Sequence, residues 1–310
     1  MTSTGTSTGT STGLAALADD HGRFAVLAMD QRGTLRRMLD AVGRPSGVED
    51  LKAFKVDVVS ALAPLSSGVL LDDDFGVPAV REAGALPPGV GLLIAAEPTV
   101  KATWNGEYRT VVDPERSAAW VRANGGDGLK FLVYWQPDRV AGPGEPDLAA
   151  EALDAVRRVV EDCRATGVPS IIEPLVSFAP SLQPTQEDRY EAVIRSATRL
   201  AALRPSLLKL EWPGGAEGCR RVSEALGGVP WALLSAGVGY EDFVERCRIA
   251  LDNGASGIIA GRAIWKEAVD LDGEERRAFL RDVSVPRLAG LTDVLGRHGR
   301  SWEQVAGVAS

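Results

Sequence analysis

The chain has 310 residues, of which 45% are apolar and 25% are charged, and its formal net charge is -8. This composition is typical of a water-soluble protein with a large core, and the acidic balance argues against a nucleic-acid partner, which requires a basic surface. Two histidines exclude a zinc site built on several imidazoles, and three scattered cysteines, predicted to be reduced, favour a cytoplasmic location.

The N-terminal segment, residues 1–13, consists almost entirely of Ser, Thr and Gly and lacks the charged and apolar regions of a secretory signal. We expect this tail to be disordered and residues 14–310 to form one domain. No apolar run approaches the roughly 20 residues of a membrane-spanning helix, so the sequence predicts no membrane partner.

From residue 24 onward, short apolar runs alternate with longer amphipathic stretches, as in βα units around a parallel sheet. Eight apolar runs are predicted to be strands: Phe24–Asp30, Gly68–Asp74, Gly91–Glu97, Gly128–Trp135, Pro169–Val176, Leu207–Trp212, Trp231–Gly237 and Gly257–Ile264. Amphipathic segments predict helices such as Asp147–Thr166, Glu187–Leu203 and Tyr240–Asn253. The third connection, Pro98–Asp113, is predicted to be an extended loop.

Eight such units over about 240 residues match the usual span of a (β/α)8 TIM barrel. An open, doubly wound sheet would carry a glycine fingerprint after its first strand, but this chain has Asp30-Gln31-Arg32-Gly33 there. We therefore predict an α/β fold of the (β/α)8 TIM-barrel type, with its chemistry at the C-terminal ends of the strands.

Ionisable residues are concentrated at these predicted strand ends: Asp30, Asp72 to Asp74, Glu97, Lys130, Glu173, Lys209, Glu211 and Arg262. Alternation along the strand places Lys209 on the face opposite its neighbouring leucines and thus inside the barrel. A desolvated lysine beside another cation loses its proton more easily and attacks a carbonyl to form a Schiff base. Lys130 would supply that cation and Glu173 would carry protons. The alternative is a buried ion pair with a purely structural role.

The last two strand ends predict an anion site. Ser235, Ala236 and Gly237 end strand seven, and Gly261 and Arg262 end strand eight. Small residues let backbone N–H groups approach an anion, arginine donates two hydrogen bonds, and barrels commonly hold phosphate at this position. The alternative is that the glycines only form tight turns and that Arg262 pairs with a helix carboxylate.

Three further features leave choices open. Asp72–Asp74 has the residue types of a divalent-metal site, but alternation lets at most two of the carboxylates face one ion, so we predict no metal and no cofactor. Asp30 would either bind sugar hydroxyls and act as a base, or cap the helix that begins near Gly33. Lys55 and Arg32 are candidates for binding the far end of a substrate.

Seven ordered segments resemble a known family. They read FAVLAMDQRGTLRRML from residue 24, GVLLDDDFG from 68, GLKFLVYW from 128, SIIEPLV from 170, LLKLEWP from 207, PWALLSAGV from 230 and GIIAGRAIW from 257. Over residues 24 to 291 the chain resembles the class I tagatose 1,6-bisphosphate aldolase and sulfofructosephosphate aldolase family. The phrases WALLSAGVGYEDF, NGASGIIAGRAIW and RDVSVPRLAGL are more similar to the sulfofructosephosphate branch.

The resemblance implies a metal-free barrel aldolase that acts on a ketose phosphate. Its Schiff-base lysine falls on Lys209, its proton-transfer glutamate on Glu173, its auxiliary lysine on Lys130 and its Asp-Gln pair on Asp30 and Gln31. Its anion-binding residues fall on Ser235, Gly237, Gly261 and Arg262.

The expected reaction is the reversible cleavage of 6-deoxy-6-sulfofructose 1-phosphate to dihydroxyacetone phosphate and sulfolactaldehyde. The alternatives are cleavage of tagatose 1,6-bisphosphate, a transaldolase, a metal-dependent isomerase or lyase that uses the three aspartates, and a non-catalytic sugar-phosphate sensor. A homo-oligomer remains open.

Overall fold

The computed structural model describes residues 13–308. The chain forms strands β1 (Phe24–Met29), β2 (Gly68–Asp72), β3 (Gly91–Ala95), β4 (Ala102–Trp104), β5 (Glu107–Arg109), β6 (Gly128–Trp135), β7 (Ser170–Val176), β8 (Leu207–Leu210), β9 (Trp231–Leu234) and β10 (Gly257–Ala260). Eight of these close into a parallel barrel in the order β1-β10-β9-β8-β7-β6-β3-β2, and β4 and β5 form a separate antiparallel hairpin. The (β/α)8 TIM barrel predicted from the sequence is confirmed.

Two predictions of local structure need correction. Six predicted strands run one to four residues past the observed C-terminal ends. After β3, β9 and β10 the chain stays buried beyond the last ladder residue, so composition does not mark where those strands end. The segment predicted as an extended loop, Pro98–Asp113, contains the hairpin formed by β4 and β5. The tail predicted for residues 1–13 lies outside the described residues except for Gly13.

Helices surround the barrel: α1 (Gly33–Ala41), α2 (Val48–Leu62), α3 (Gly76–Glu82), α4 (Ala118–Ala123), α5 (Leu148–Thr166), α6 (Gln186–Ala201), α7 (Ala216–Leu226), α8 (Tyr240–Asp252), α9 (Arg262–Trp265), α10 (Gly273–Phe279), α11 (Val285–His298) and α12 (Trp302–Ala306). Capping residues mark where two of the longest helices begin. The side chain of Asp147 caps α5, and Thr185 and Asp188 form a capping box at α6. Within residues 13–308, none of the helices has the length and apolar character required to cross a membrane.

The barrel interior is apolar at its N-terminal end. Leu17 packs against the first residues of three strands, Gly68, Gly91 and Gly128, and a Cβ atom at Gly91 would lie 2.1 Å from the carbonyl oxygen of Ala16. Glycine at these strand starts therefore lets the N-terminal segment close this end of the barrel. The polar and charged residues of the barrel interior lie at its opposite, C-terminal end.

Candidate active site

A cavity of about 290 Å³ opens at the C-terminal end of the barrel. It is lined by Asp30, Gln31, Arg32, Gly33, Thr34, Arg37, Glu97, Thr99, Lys101, Tyr108, Lys130, Leu132, Tyr134, Glu173 and Lys209. The lining is mostly polar and charged, which suits a small, polar substrate. Four residues predicted to be catalytic from the sequence, Asp30, Lys130, Glu173 and Lys209, share this one cavity.

Lys130 on β6 lies at the centre of the charged cluster. Its Nζ atom is 2.9 Å from Asp30 Oδ2, 2.8 Å from Glu97 Oε1 and 2.9 Å from Glu173 Oε2. Only 1% of its surface is exposed. Burial opposes its charge, but the three carboxylates outweigh burial and raise the pKa of Lys130 well above its usual value. Lys130 therefore favours its protonated form, donates hydrogen bonds to Asp30 and Glu97, and forms an ion pair with Glu173.

Glu173 on β7 joins the two buried lysines. One carboxylate oxygen contacts Lys130, and the other, Oε1, lies 2.9 Å from the Nζ atom of Lys209 on β8. Lys209 is 5% exposed and its Nζ has this one carboxylate partner within residues 13–308. Three neighbouring strands thus place the carboxylate of Glu173 between Lys130, which contacts three carboxylates, and Lys209, which contacts only this one among the described residues.

Asp30 lies at the end of β1, beside Lys130. Burial acts to raise the pKa of Asp30, but the charges of Lys130 and Lys209 outweigh it and hold the pKa well below its usual range. Helix α1 begins at Gly33 without a side-chain hydrogen bond at its cap. The structure therefore places Asp30 in the charged cluster and does not support its alternative role as a helix cap.

Glu97, just after β3, belongs to the same cluster, although the sequence analysis did not select it. Its Oε2 accepts a hydrogen bond from the backbone N–H of Leu132 at 3.2 Å, and its Oε1 accepts from Lys130. Burial raises its pKa, but the charge of Lys130 prevails and the pKa is lowered. The available signal was its position at a strand end, the same signal that marked Glu173.

The structure corrects the predicted role of Lys55. This residue of α2 is fully buried, its Nζ lies 2.7 Å from Asp72 Oδ1, and it donates hydrogen bonds to the backbone oxygens of Met29 and Gln31 at 2.7 and 2.8 Å. Lys55 does not line the cavity. It instead fixes the backbone at the end of β1, which carries Asp30 and Gln31.

Cations occupy the whole acidic run Asp72–Asp74, since Asp72 pairs with Lys55 and the other two carboxylates pair with arginines. Arg32 lies 2.9 Å from Asp73 and 3.3 Å from Asp74, and Arg116 contacts the same two carboxylates at 2.8 and 3.3 Å. Arg32 also donates to the hydroxyl of Thr99 at 2.8 Å. These ion pairs account for the aspartates that suggested a metal. They also show that Arg32, although it borders the cavity, is already neutralised.

The predicted anion-binding residues come together at the ends of β9 and β10. The backbone N–H of Gly261 points to Ser235 Oγ at 3.5 Å. Ala236 and Gly237 have left-handed backbones, with φ of 48° and 79°, and a Cβ atom at Gly237 would lie 3.3 Å from Cζ of Arg262. The left-handed backbone and the close approach of Arg262 therefore both favour glycine at position 237.

The alternative partner expected for Arg262 is not found. Glu267, the nearest acidic residue along the chain, pairs with Arg287 at 3.0 Å instead. Across residues 13–308, no carboxylate forms an ion pair with Arg262. Its guanidinium group therefore remains available to an anion on the rim that β10 shares with β1 and β9.

Two further cations border the cavity and were missed in the sequence analysis. Lys101, before β4, lies over the ring of Tyr134 at 5.7 Å and donates to the backbone oxygen of Pro98 at 3.3 Å. Arg37 on α1 donates to the hydroxyl of Thr34 at 3.1 Å. In the part of the chain that the structure describes, neither forms an ion pair with a carboxylate. Burial lowers the pKa of Lys101.

The three cysteines are free and buried, and burial raises the pKa of Cys163 and of Cys219 to about 12. Thiolate nucleophiles require a lowered pKa, so these residues serve packing.

Comparisons with known proteins point to one kind of enzyme. A family model described as DeoC/LacD family aldolase matches residues 24–267. Tagatose 1,6-diphosphate aldolase from Listeria monocytogenes is 30% identical over 93% of this chain and 92% of its own length. Tagatose 1,6-diphosphate aldolase 2 from Streptococcus agalactiae is 27% identical over 93% of this chain and 95% of its own length.

Solved structures agree on the fold. An archaeal fructose-1,6-bisphosphate aldolase, whose catalytic lysine is covalently bound to a carbinolamine intermediate, superimposes with a TM-score of 0.61 at 16% identity, covering 92% of this chain and 98% of that one. A Corynebacterium glutamicum protein superimposes with a TM-score of 0.66 at 19% identity, covering 94% of this chain and 92% of that one.

Proposed function

Because this chain belongs to the DeoC/LacD aldolase family, we propose that it reversibly cleaves tagatose 1,6-bisphosphate to dihydroxyacetone phosphate and glyceraldehyde 3-phosphate through a Schiff base on Lys209. The observation that carries the mechanism is the row Lys130, Glu173 and Lys209, in which one carboxylate touches both amines at 2.9 Å. Membership of an aldolase family argues for an enzyme over the sugar-phosphate sensor.

The contacts of the two lysines favour Lys209 as the nucleophile. Attack on a carbonyl requires a free electron pair on nitrogen, and three carboxylates keep Lys130 protonated. Lys209 has one carboxylate partner, and that partner, Glu173, is placed to take its proton. Lys130 then holds Glu173 in place through the second carboxylate oxygen.

The reaction proceeds in balanced steps. The neutral amine of Lys209 adds to the C2 carbonyl, and Glu173 gives the proton that it took from Lys209 to the leaving hydroxyl, so that loss of water leaves a protonated imine and an ionised Glu173. The bond between C3 and C4 breaks, its electron pair moves to the imine, and Glu173 accepts the proton of the C4 hydroxyl. Glyceraldehyde 3-phosphate leaves, Glu173 returns the proton to the enamine carbon C3, and water hydrolyses the imine to release dihydroxyacetone phosphate and regenerate Lys209. Asp30, whose Oδ2 also lies 2.9 Å from Lys130 Nζ, is the second candidate base.

The distribution of cations supports a substrate with two anionic ends. Arg262, with the backbone around Ser235 and Gly237, is the proposed site for one anion at the ends of β9 and β10, next to the cavity but outside the residues that line it. Arg37 and Lys101 border the cavity near α1 and β4 without carboxylate partners in residues 13–308. A ketose bisphosphate matches this pattern because each of its phosphates gains a cation.

The curated relatives change our preference between the two substrates. The resemblance of short phrases favoured the sulfofructosephosphate branch, whereas the relatives compared over more than nine-tenths of the chain carry the tagatose name. Sulfonate and phosphate are both tetrahedral oxyanions, so a few matching phrases do not distinguish them. We therefore place tagatose 1,6-bisphosphate first and treat 6-deoxy-6-sulfofructose 1-phosphate as the competing substrate.

A substrate panel tests the proposal. The purified protein is assayed for release of dihydroxyacetone phosphate from tagatose 1,6-bisphosphate, fructose 1,6-bisphosphate and 6-deoxy-6-sulfofructose 1-phosphate, with and without an acceptor aldehyde to reveal a transaldolase. We expect the highest kcat/KM with the tagatose compound and no turnover by Lys209→Met. Lys52→Met, at an exposed pair with Glu49, is the control. A preference for the sulfosugar, or turnover by Lys209→Met, contradicts the proposal.

A further inference from the structure

The ladder between β7 and β8 is incomplete next to the reacting residues. β7 pairs with β6 along its whole length, from Ser170 to Val176, but with β8 only through Ile171 and Ile172. The last four residues of β7 therefore lack backbone pairing on the β8 side. Glu173 and Lys209 face each other across this gap.

The side chain of Glu211 bridges the gap. Glu211 is the first residue after β8, and its Oε2 accepts a hydrogen bond from the backbone N–H of Val176 at 2.7 Å. A side-chain carboxylate thus substitutes for a missing ladder carbonyl at the end of β7. The bond ties together the two strands that carry Glu173 and Lys209.

We propose that Glu211 is a positioning residue that holds β7 against β8, and that its ionisation adjusts the contact between Glu173 and Lys209. This inference rests on the proposed function, because it concerns the same reacting pair. An ionised carboxylate accepts a stronger hydrogen bond than a neutral one, so the link between the strands tightens when Glu211 loses its proton.

The surroundings of Glu211 set the pH at which this occurs. Burial is the main effect and raises the pKa of Glu211 to about 7. The negative charge of Glu173 on β7 also raises this pKa, whereas the hydrogen bond from Val176 and the positive charge of Arg189 on α6 lower it. Because the group is half ionised near neutrality, we expect kcat to rise with pH through an inflection near 7.

Glu211→Gln is the central variant, because the amide keeps the size and an acceptor oxygen but cannot ionise. We expect kcat to fall about tenfold above pH 7, the rate equivalent of one charge-assisted hydrogen bond, with KM little changed and the inflection near 7 lost. Val176→Pro removes the donor and is expected to lower kcat similarly, with no further loss in the double variant. Glu217→Gln, at an exposed carboxylate of α7, is the matched control.

Trapping with dihydroxyacetone phosphate and borohydride separates this inference from the proposed function. If wild-type protein forms no adduct on Lys209, the proposed function fails. If it forms the adduct but Glu211→Gln keeps the wild-type kcat and its inflection, only the positioning role is overturned. Melting temperatures of each variant establish folding, and a purely structural role would lower them without removing the inflection.

Discussion

Replacement of Lys130 by methionine tests the electrostatic account of the cavity. The change leaves three buried carboxylates, Asp30, Glu97 and Glu173, without the ammonium group that lies within 2.9 Å of each. Removal of one partner from a buried ion pair costs about 3–5 kcal/mol. Because one side of this cluster faces the cavity and its water, we expect the lower end, a loss of about 3 kcal/mol in the free energy of unfolding.

The loss of unfolding free energy in Lys130→Met is also expected to depend on pH. In the wild type the pKa values of Asp30 and Glu97 are lowered, so both groups stay ionised and stabilise the fold above their unfolded pKa values, near 4. Without Lys130, burial raises these pKa values, and the variant takes up protons as the pH falls. For each proton that the folded variant takes up, its free energy of unfolding rises by up to about 1.4 kcal/mol per pH unit as the pH falls. The loss of stability relative to the wild type is therefore greater at pH 8 than at pH 5.

Urea unfolding at pH 8 and pH 5 measures both quantities. The control is Lys52→Met, which removes an exposed lysine paired with Glu49 and is expected to leave the unfolding free energy almost unchanged at either pH. If Lys130→Met loses the same unfolding free energy at both pH values, or loses no more than the control, then Lys130 does not stabilise the three carboxylates as inferred.

Three other outcomes follow from the site. Glu173→Gln is expected to lower kcat about a hundredfold or more, because an amide cannot accept the C4 hydroxyl proton. A coupled assay of dihydroxyacetone phosphate measures this rate, and a near-normal rate would identify Asp30 as the base instead. Lys101→Met and Arg37→Ala are expected to raise KM for the bisphosphate more than for a ketose 1-phosphate, and equal effects on both substrates contradict a second anion site. Activity is expected to persist in EDTA, since Lys55 and two arginines occupy the carboxylates of the acidic run. If EDTA abolishes the activity and added metal restores it, the metal-dependent alternative is supported instead.

The barrel was predictable because its strands are short apolar runs separated by amphipathic helices. Residues such as Lys209 could be placed inside the barrel from alternation alone, because Leu208 and Leu210 on either side pack outward. The strand ends were less predictable. The run beginning at Trp231 stays buried through Ser235 after its ladder ends at Leu234, so composition alone does not mark where the strand stops.

The partners within the site depended on three-dimensional packing. The sequence marked Glu97 only as a charge at a strand end, and its contact with Lys130 follows from the register of β3 against β6. Lys55 and Arg32 were candidates for binding the far end of the substrate, a prediction that depended on loops whose positions the sequence does not give. The fold instead turns Lys55 toward Asp72 and Arg32 toward Asp73, pairs that spacing along the sequence does not reveal.

In the proposed mechanism, Lys209 forms the Schiff base while Lys130 stays protonated. The most direct measurement is reduction with borohydride in the presence of dihydroxyacetone phosphate, followed by peptide mass mapping. We expect a stable adduct on the peptide that contains Lys209, and none in Lys209→Met. An adduct on Lys130, or no adduct in wild-type protein shown to be folded, would contradict this mechanism.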